Sequence, residues 1–160
     1  MGTAKEVISL IENNQEKFYR VAFAYVKNKD DALDIVHNAI VKALEKRHTL
    51  RNVDYIRTWF YRILINESIN FLHRRGKILY LDTLPDSEVS SGSNTKSEEY
   101  IDLYSAIDRL PPKLKTIIIL RYFEDMQLDT IAKITSTNLS TTKSRLYKAL
   151  EIMKVSLEDI

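Results

Sequence analysis

The sequence LDTIAKITSTNLSTTKSRLYKALEIMK, residues 128–154, decides the fold of this chain. It predicts two short helices joined by a tight polar turn, the outline of a helix-turn-helix. The turn falls at residues 136–138, Ser-Thr-Asn, because these residue types favour turns and helix caps. The first helix offers Ile131, Ala132 and Ile134 for packing. In the second helix the predicted apolar stripe consists of Leu139, Leu146, Leu150 and Met153.

The opposite face of the second helix carries short hydroxyls and cations. It consists of Thr141, Ser144, Arg145 and Lys148, with Lys143 at the border. Such a helix suits a DNA major groove, since the cations meet phosphates while nearer side chains reach base edges. The same pattern also fits an amphipathic helical hairpin with a solvated charged face, and periodicity alone leaves both interpretations open.

The composition predicts a folded chain without disulfides or thiolate chemistry. Apolar residues make up 44% and charged residues 29%, which excludes a disordered chain. No apolar run approaches about eighteen residues, and the N-terminus lacks a basic segment followed by an apolar stretch. We therefore expect neither a transmembrane segment nor a secretory signal. The absence of cysteine excludes disulfides and is compatible with a cytoplasmic location.

Helix breakers are scarce and stand outside the periodic segments. All of them are Gly2, Gly76, Gly92, Pro85, Pro111 and Pro112. No stretch shows the alternation of a strand, so the chain is predicted to be all-α. The helices are predicted at about 4–12, 15–26, 30–46, 53–75, 98–110 and 113–122, before the helix-turn-helix.

The charges divide the chain into parts. Residues 51–77 contain six cations and two acids, whereas residues 78–108 contain one cation and seven acids. The serine-rich acidic part cannot bury enough apolar area to offset its ordering entropy, so residues 78–99 are predicted to be a flexible linker. Two small helical domains follow, residues 1–77 and 100–160, and the second contains the helix-turn-helix.

The third and fourth predicted helices carry further candidate surfaces. In the third, the expected core stripe is Leu33, Val36, Ile40 and Leu44. Val41 then lies among polar groups, which indicates a docking face, although single exposed valines are common. The fourth helix ends in amides and a basic cluster, which fit either nucleic-acid contact or cations opposing the helix dipole. Trp59 is predicted to be core rather than a base-stacking platform.

Four stretches together resemble the extracytoplasmic-function (ECF) group of bacterial sigma factors. They are DALDIVHNAIVKALEK (31–46), RTWFYRILINESINFLHRRGK (57–77), DRLPPKLKTIIILRYFEDMQLDTIAKI (108–134) and NLSTTKSRLYKAL (138–150). The resemblance covers nearly the whole chain. It implies a transcription initiation factor that binds core RNA polymerase and promoter DNA, and an anti-sigma factor as an expected partner.

The resemblance also implies three sets of site residues. The polymerase-binding set is Asp34, His37, Asn38 and Val41. The set for the minus-ten promoter element is Leu50, Asn66, Asn70, Arg74, Arg75 and Lys77. The set for the minus-thirty-five element is Ser140, Thr141, Lys143, Ser144, Arg145 and Lys148. Departures from the family pattern include Leu50 in place of an aromatic residue and Ser140 in place of a glycine.

Two other functions remain open at this point. A stand-alone helix-turn-helix regulator would bind duplex DNA unaided, and a helical adaptor would bind only protein. No pair of acids, metal-ligand cluster or nucleophile–base spacing indicates chemistry, so we expect no enzyme activity, cofactor, metal or small-molecule substrate.

Overall fold

The computed structural model describes the backbone of residues 4–82 and 98–158 and the side chains of residues 4–76 and 103–154. These segments form eight α-helices and no strand, which confirms the all-α prediction. The helices are α1 (Ala4–Asn13), α2 (Gln15–Val26), α3 (Lys29–Glu45), α4 (Ile56–Asp82), α5 (Glu98–Asp108), α6 (Pro112–Ile118), α7 (Leu128–Thr135) and α8 (Leu139–Glu158). Two 3₁₀ turns lie between α3 and α4, and a π-helical turn, Ile119–Phe123, follows α6.

The N-terminal half, α1–α4, packs around aromatic side chains. Phe18 of α2 lies against Phe60 and Tyr61 of α4, with ring centroids 4.6 and 5.3 Å apart. Each of the three is at most 1% exposed. Tilted and edge-on aromatic pairs contribute about 0.5–1.5 kcal/mol beyond the area they bury. These rings therefore fix α2 against α4, and α3 packs on both helices.

The buried face of α3 is shifted by one position along the chain from the predicted stripe. It consists of Ala32, Ile35, Ala39 and Ala43. Leu33, expected in the core, is 47% exposed, and the other three predicted core residues are half-buried. Alanines allow neighbouring helices to approach closely because their side chains end at Cβ. The helix begins after Asn28, whose side-chain oxygen accepts the backbone N–H of Asp31 at 2.9 Å.

The three consecutive polar residues of α4, at positions 66–68, lie on two different faces of the helix. Glu67 and Ser68 are buried. Glu67 forms an ion pair with Lys42 of α3, and the Ser68 hydroxyl donates to the carbonyl oxygen one turn earlier at 2.9 Å. Glu67 therefore ties α4 to α3, Ser68 satisfies its hydroxyl within α4, and only Asn66 of the three faces solvent.

The predicted linker overlaps the described helices at both ends. α4 ends at Asp82, beyond the predicted end at residue 75, and α5 begins at Glu98. The remainder of the predicted linker, residues 83–97, lies outside the described residues.

The C-terminal half, α5–α8, forms around the isoleucine run of α6. Pro112 is the first residue of α6. A backbone N–H at this position would have no acceptor within the helix, so proline costs the helix no hydrogen bond there. The run Ile117–Ile119 is at most 2% exposed, as predicted. The π-helical turn then closes with the Glu124 N–H donating to the Ile119 carbonyl at 3.2 Å. This turn directs the Glu124 side chain towards the N-terminal half.

The predicted turn of the helix-turn-helix is present and held by its own side chains. Ser136 ends α7 with a left-handed backbone, φ 59°. The Asn138 side-chain oxygen accepts the Thr141 N–H at 2.7 Å, which caps α8. Thr137 and Thr142 hydroxyls lie 2.9 Å apart, and the Thr142 hydroxyl also bonds the Asn138 carbonyl. This network fixes the angle at which α8 leaves the turn.

The buried face of α8 also differs from the prediction. Leu139 and Leu150 are 41% and 37% exposed. The residues that pack inward are Thr142, Leu146, Ala149 and Met153. Leu146 and Met153 are therefore buried as predicted, whereas the smaller Thr142 and Ala149 take the inward positions expected for Leu139 and Leu150.

The two halves pack against each other along an interdomain seam, formed by α2 and α4 on one side and by α5, α6, α7 and the π-helical turn on the other. Phe23 stacks edge-on with Tyr104, which does the same with Phe123, and both centroid distances are 6.0 Å. Beside them the Tyr25 hydroxyl donates to the buried Thr116 hydroxyl, because Thr116 itself donates to a carbonyl of α6. The buried side chains of both halves form one continuous cluster.

An acid on α5 bridges two lysines at the end of the seam. Asp108 forms ion pairs with Lys27 of α2 and with Lys115 of α6, the latter at 3.6 Å. Burial lowers the pKa of Lys115, while Asp108 acts in the opposite direction. The carboxylate thus compensates a buried cation and joins the two halves.

The burial of Tyr25 in the seam predicts that the protein loses stability at alkaline pH. Burial raises the pKa of Tyr25 above its ordinary value of 10.0. Above about pH 10 the unfolded chain loses this proton while the folded chain keeps it, so the free energy of unfolding falls as pH rises. One such group removes about 1.4 kcal/mol at pH 11.

Urea unfolding at pH 9 and pH 11 measures this effect. The wild type is expected to lose about 1.4 kcal/mol more stability between these pH values than Tyr25→Phe, which has no phenol proton. Equal losses in both proteins would show that Tyr25 ionises as readily in the folded chain as in the unfolded one.

Candidate nucleic-acid interface

The outer face of α8 is polar, cationic and open to solvent. Its exposed residues are Ser140, Lys143, Ser144, Tyr147, Lys148 and Glu151. Thr141 and Arg145, which were predicted to contact DNA, are half-buried at the edges of this face. The described helix therefore offers two lysines for phosphates and two serines on the same outer face, as a groove-reading helix requires.

Tyr147 is a candidate contact that the sequence interpretation missed. Its side chain is 64% exposed, the largest value among the exposed large apolar residues. It lies three residues after Ser144 and four after Lys143, so the three share one face. That spacing was visible in the sequence, but the tyrosine was not separated from the apolar residues around it. A ring here suits apolar contact with a thymine methyl group.

A second polar face runs along α4. Arg62, Asn66, Asn70 and Arg74 are exposed at intervals of four residues, so they follow one side of the helix. Amide groups at this spacing can bond base edges in two directions, since each carries both a donor and an acceptor.

The basic end of α4 is partly engaged within the N-terminal half. The Arg75 guanidinium forms an ion pair with Asp31 of α3 at 2.7 Å. The guanidinium carbons of Arg74 and Arg75 also lie 5.9 and 5.7 Å from the centroid of the Phe71 ring. Arg74 is therefore the freer of the two arginines for a phosphate. The Lys77 side chain lies outside the described residues.

A shallow cavity of about 440 Å³ opens beside this face. It is lined by Thr49, Leu50, Arg51, Asn52, Tyr55, Thr58, Trp59, Arg62 and Lys133. Trp59 is half-buried and its indole N–H donates to the Thr49 hydroxyl at 3.0 Å. The indole thus braces the loop between α3 and α4 as well as forming a wall of the cavity. Its lining combines the aromatic side chains of Tyr55 and Trp59 with polar groups, and aromatic side chains of this kind can stack on an unpaired base.

Leu50 does not have the exposed position that its predicted contact with DNA requires. It was expected to contact DNA from the loop, but its side chain is only 5% exposed. An apolar side chain in a loop is more stable beneath the backbone than in water, and Leu50 packs under the loop accordingly. Its neighbours Thr49, Arg51 and Asn52 are exposed.

The third candidate surface lies on α3. Asp34, His37, Asn38 and Val41 are all exposed, and their spacing of three and four residues brings them to one face. Val41 is 39% exposed, and Leu33 at the neighbouring position adds a second exposed apolar side chain. Exposed apolar side chains among polar ones are typical of a protein-binding surface.

No metal-ligand cluster is found in the part of the chain that the structure describes. Among residues 4–82 and 98–158 no three histidine, cysteine or acidic residues are grouped to hold a metal ion. Within the same ranges no helix combines the length and apolar character needed to cross a bilayer.

Comparison with known proteins assigns both halves. Residues 10–78 match the model of sigma-70 region 2, and residues 100–153 match that of sigma-70 region 4. The chain is 46% identical over 153 residues to RNA polymerase sigma factor SigV of Bacillus subtilis, covering 94% of this chain and 90% of that relative. This chain belongs to the sigma-70 family of sigma factors, in the ECF group.

More distant sigma factors agree with this assignment. The ECF RNA polymerase sigma-E factor of Haemophilus influenzae is 27% identical over 99% of this chain and 91% of its own length. The fold of this sigma factor matches RpoE from Bartonella quintana, solved in complex with the anti-sigma factor NepR. The TM-score is 0.77 at 21% identity, with 96% and 98% of the two chains covered. CnrH, solved with the cytosolic domain of CnrY, gives 0.72 at 17% identity over 96% and 88%.

Proposed function

We propose that this sigma factor docks on core RNA polymerase through α3, captures an unpaired promoter base beside α4, and reads upstream duplex with α8. The observation that carries the proposal is the presence of two chemically different DNA-suited faces on the two halves. One combines amides with a cavity that has aromatic walls, and the other combines lysines with hydroxyls on a helix-turn-helix. Residues 1–77 and 100–160 are the proposed domains for these two tasks.

The proposed minus-ten contacts are Asn66, Asn70, Arg74, Arg75 and Lys77, with Leu50 supporting the loop rather than touching DNA. The proposed minus-thirty-five contacts are Ser140, Thr141, Lys143, Ser144, Arg145 and Lys148, to which we add Tyr147. Arg75 has to leave Asp31 before it can meet a phosphate. Thr141 and Arg145 act from the edges of the recognition face, since both are half-buried.

Energetics require the polymerase to take part in opening the promoter. Unstacking DNA costs about 1.4 kcal/mol per base-pair step, and opening a promoter breaks several steps. Stacking one captured base returns about 1–3 kcal/mol. One cavity therefore cannot offset the cost, and the free sigma factor is expected to bind promoters weakly. No step in this mechanism needs a catalytic residue, so we propose that the sigma factor is not itself an enzyme.

We also propose an anti-sigma factor as a regulatory partner. RpoE and CnrH, which share this fold, were solved bound to an anti-sigma factor and to the cytosolic domain of CnrY. Action on polymerase and promoter DNA places the proposed site of function in the cytoplasm.

The proposal predicts a specific defect for Asn66→Ala. Asn66 is exposed, so its replacement leaves the fold intact. If it holds an unpaired base, its loss costs about 1–3 kcal/mol, which lowers the fraction of open promoter about 5- to 150-fold. Permanganate reactivity of unpaired thymines, with core polymerase added to either protein, measures this fraction.

Upstream binding provides the internal control. Asn66→Ala is expected to keep the minus-thirty-five footprint of the wild-type complex. Normal opening with loss of the upstream footprint would mean that the roles of the two halves are reversed. Absence of opening by the wild type with polymerase would contradict the proposed function as a whole.

A further inference from the structure

Tyr55 is an exposed aromatic residue at the cavity beside α4. It ends the 3₁₀ turn Val53–Tyr55 and stands immediately before the first residue of α4. The residue is 55% exposed and lines the cavity together with Trp59, which follows one helical turn later. Within the part of the chain that the structure describes, the Tyr55 hydroxyl forms no hydrogen bond. Its ring is therefore free to contact a ligand in the cavity.

The backbone that carries Tyr55 is held by Asn52. The Asn52 side-chain oxygen accepts the Asp54 N–H at 2.9 Å, and the Asn52 carbonyl accepts the Tyr55 N–H at 3.0 Å. These two bonds fix the turn, so only the Tyr55 side chain has to be ordered when a ligand binds. Binding then costs less conformational entropy than it would on a mobile loop.

The other aromatic wall of the cavity is engaged within the protein. Trp59 is half-buried and its indole N–H donates to the Thr49 hydroxyl at 3.0 Å. That hydroxyl in turn donates to the Lys46 carbonyl at 2.7 Å, so Trp59 braces the end of α3. Leu50, the loop residue predicted to contact DNA, is only 5% exposed. Of the two aromatic residues that line the cavity, Tyr55 is thus the more open to a ligand.

The charges around the cavity favour a ligand with phosphate groups. Arg51, Arg62 and Lys133 all line it. Arg62 already donates to the carbonyls of Lys133 and Ile134, whereas Arg51 is exposed and forms no ion pair with any described residue. Proteins hold single-stranded nucleic acid by this combination, since the ring stacks on a base while the cation meets the phosphate.

Tyr55 also continues the polar face of α4. Arg62 and Asn66 follow it by seven and eleven residues, a spacing that brings all three to one side. An unpaired strand that stacks on Tyr55 therefore leads directly to the amides of the proposed minus-ten face.

We propose that Tyr55 is the platform on which the unpaired promoter base stacks. The inference rests on the proposed function, which puts a base in this cavity, and it names the side chain that holds the base. A tyrosine ring can stack on any of the four bases. Tyr55 therefore contributes affinity for the unpaired strand, and base preference has to come from other side chains.

A promoter with a preformed bubble across the minus-ten element tests this role, because it removes the cost of opening. 2-Aminopurine is placed at one unpaired position at a time. Its fluorescence is strong when the base is unstacked and is quenched when the base stacks on an aromatic ring. With core polymerase and wild-type sigma factor, one position is expected to be quenched. Tyr55→Ala is expected to restore its fluorescence and to weaken binding to the bubble about 5- to 150-fold.

Two matched variants control for the hydroxyl and for the loss of an exposed ring. Tyr55→Phe keeps the ring, so it is expected to quench the same position and to bind like the wild type. Tyr122→Ala removes a tyrosine that is 56% exposed on the π-helical turn, outside the cavity, and should leave the quenching unchanged. Tyr55→Ala should also keep the minus-thirty-five footprint, which shows that the fold is intact.

The outcomes separate this role from the proposed function. Quenching that persists in Tyr55→Ala would overturn the platform, and its loss in Trp59→Leu instead would assign the stacking to Trp59. Equal losses in Tyr55→Phe and Tyr55→Ala would mean that the hydroxyl, not the ring, holds the base, which also overturns it. A wild type that binds the bubble with every position unquenched contradicts base capture itself, and the role of Tyr55 falls with it.

Discussion

Replacing Asp34 and Val41 together by arginine is expected to abolish binding of the sigma factor to core RNA polymerase. Val41 is 39% exposed on the outer face of α3, and Asp34 is exposed two turns earlier. Interface residues of this kind commonly contribute 2 kcal/mol or more when they lie in a binding centre. Two such losses amount to about 4 kcal/mol, close to a thousandfold increase in Kd.

The double variant should keep its fold because neither side chain belongs to the buried row of α3. Circular dichroism is expected to give unchanged helicity. The matched control is Asn13→Arg with Glu16→Arg, which adds the same charge at exposed positions outside the α3 face. Polymerase binding retained by the α3 variant, or lost equally in the control, would contradict the docking surface.

Substitutions on the outer face of α8 should separate sequence-independent from sequence-specific DNA binding. Lys143→Ala is expected to weaken every promoter equally and to reduce the salt dependence of binding by about one counterion, since Lys143 is exposed and suited to phosphate. Tyr147→Ala is expected to cost about 1–3 kcal/mol at one or two upstream base pairs and little elsewhere. The two variants should differ because Lys143 is suited to phosphate, which is the same in every sequence, whereas the large exposed ring of Tyr147 can contact particular bases.

Holoenzyme binding to a set of single-base promoter variants at two salt concentrations measures both effects. Arg145→Ala is a useful third variant. Arg145 is half-buried at the edge of the outer face of α8, so its loss should affect fewer promoter base pairs than the loss of an exposed side chain. A uniform loss for Tyr147→Ala and a position-specific loss for Lys143→Ala would exchange their assigned roles.

The all-α fold and the helix-turn-helix followed from the sequence because both depend on local chemistry. Periodicity, the proline pair before α6 and the polar turn at residues 136–138 act over a few neighbouring residues. The buried face of α3 was displaced by one position throughout, whereas that of α8 was correct at Leu146 and Met153 and wrong at Leu139 and Leu150. Hydropathy favours large side chains such as Leu33 and Leu139, whereas close helix packing selects Ala39, Ala149 and their neighbours.

The contacts between the halves could not be predicted from the sequence. Arg62 meets the end of α7, and Glu124 meets Arg20, across more than seventy residues of chain. Nothing in local composition distinguishes these charged residues from solvated ones. The burial of Leu50 and the exposure of Tyr147 likewise depend on how the loop and α8 pack. The binding roles of the candidate residues stay predictions.

Binding of the purified sigma factor to core RNA polymerase tests the central claim most directly. The expected result on size-exclusion chromatography is a stoichiometric complex that retains a promoter duplex carrying both elements, while the free sigma factor elutes as a monomer and retains little of it. Tight binding of that duplex by the free protein as a dimer, with no complex formed on polymerase, would contradict the account.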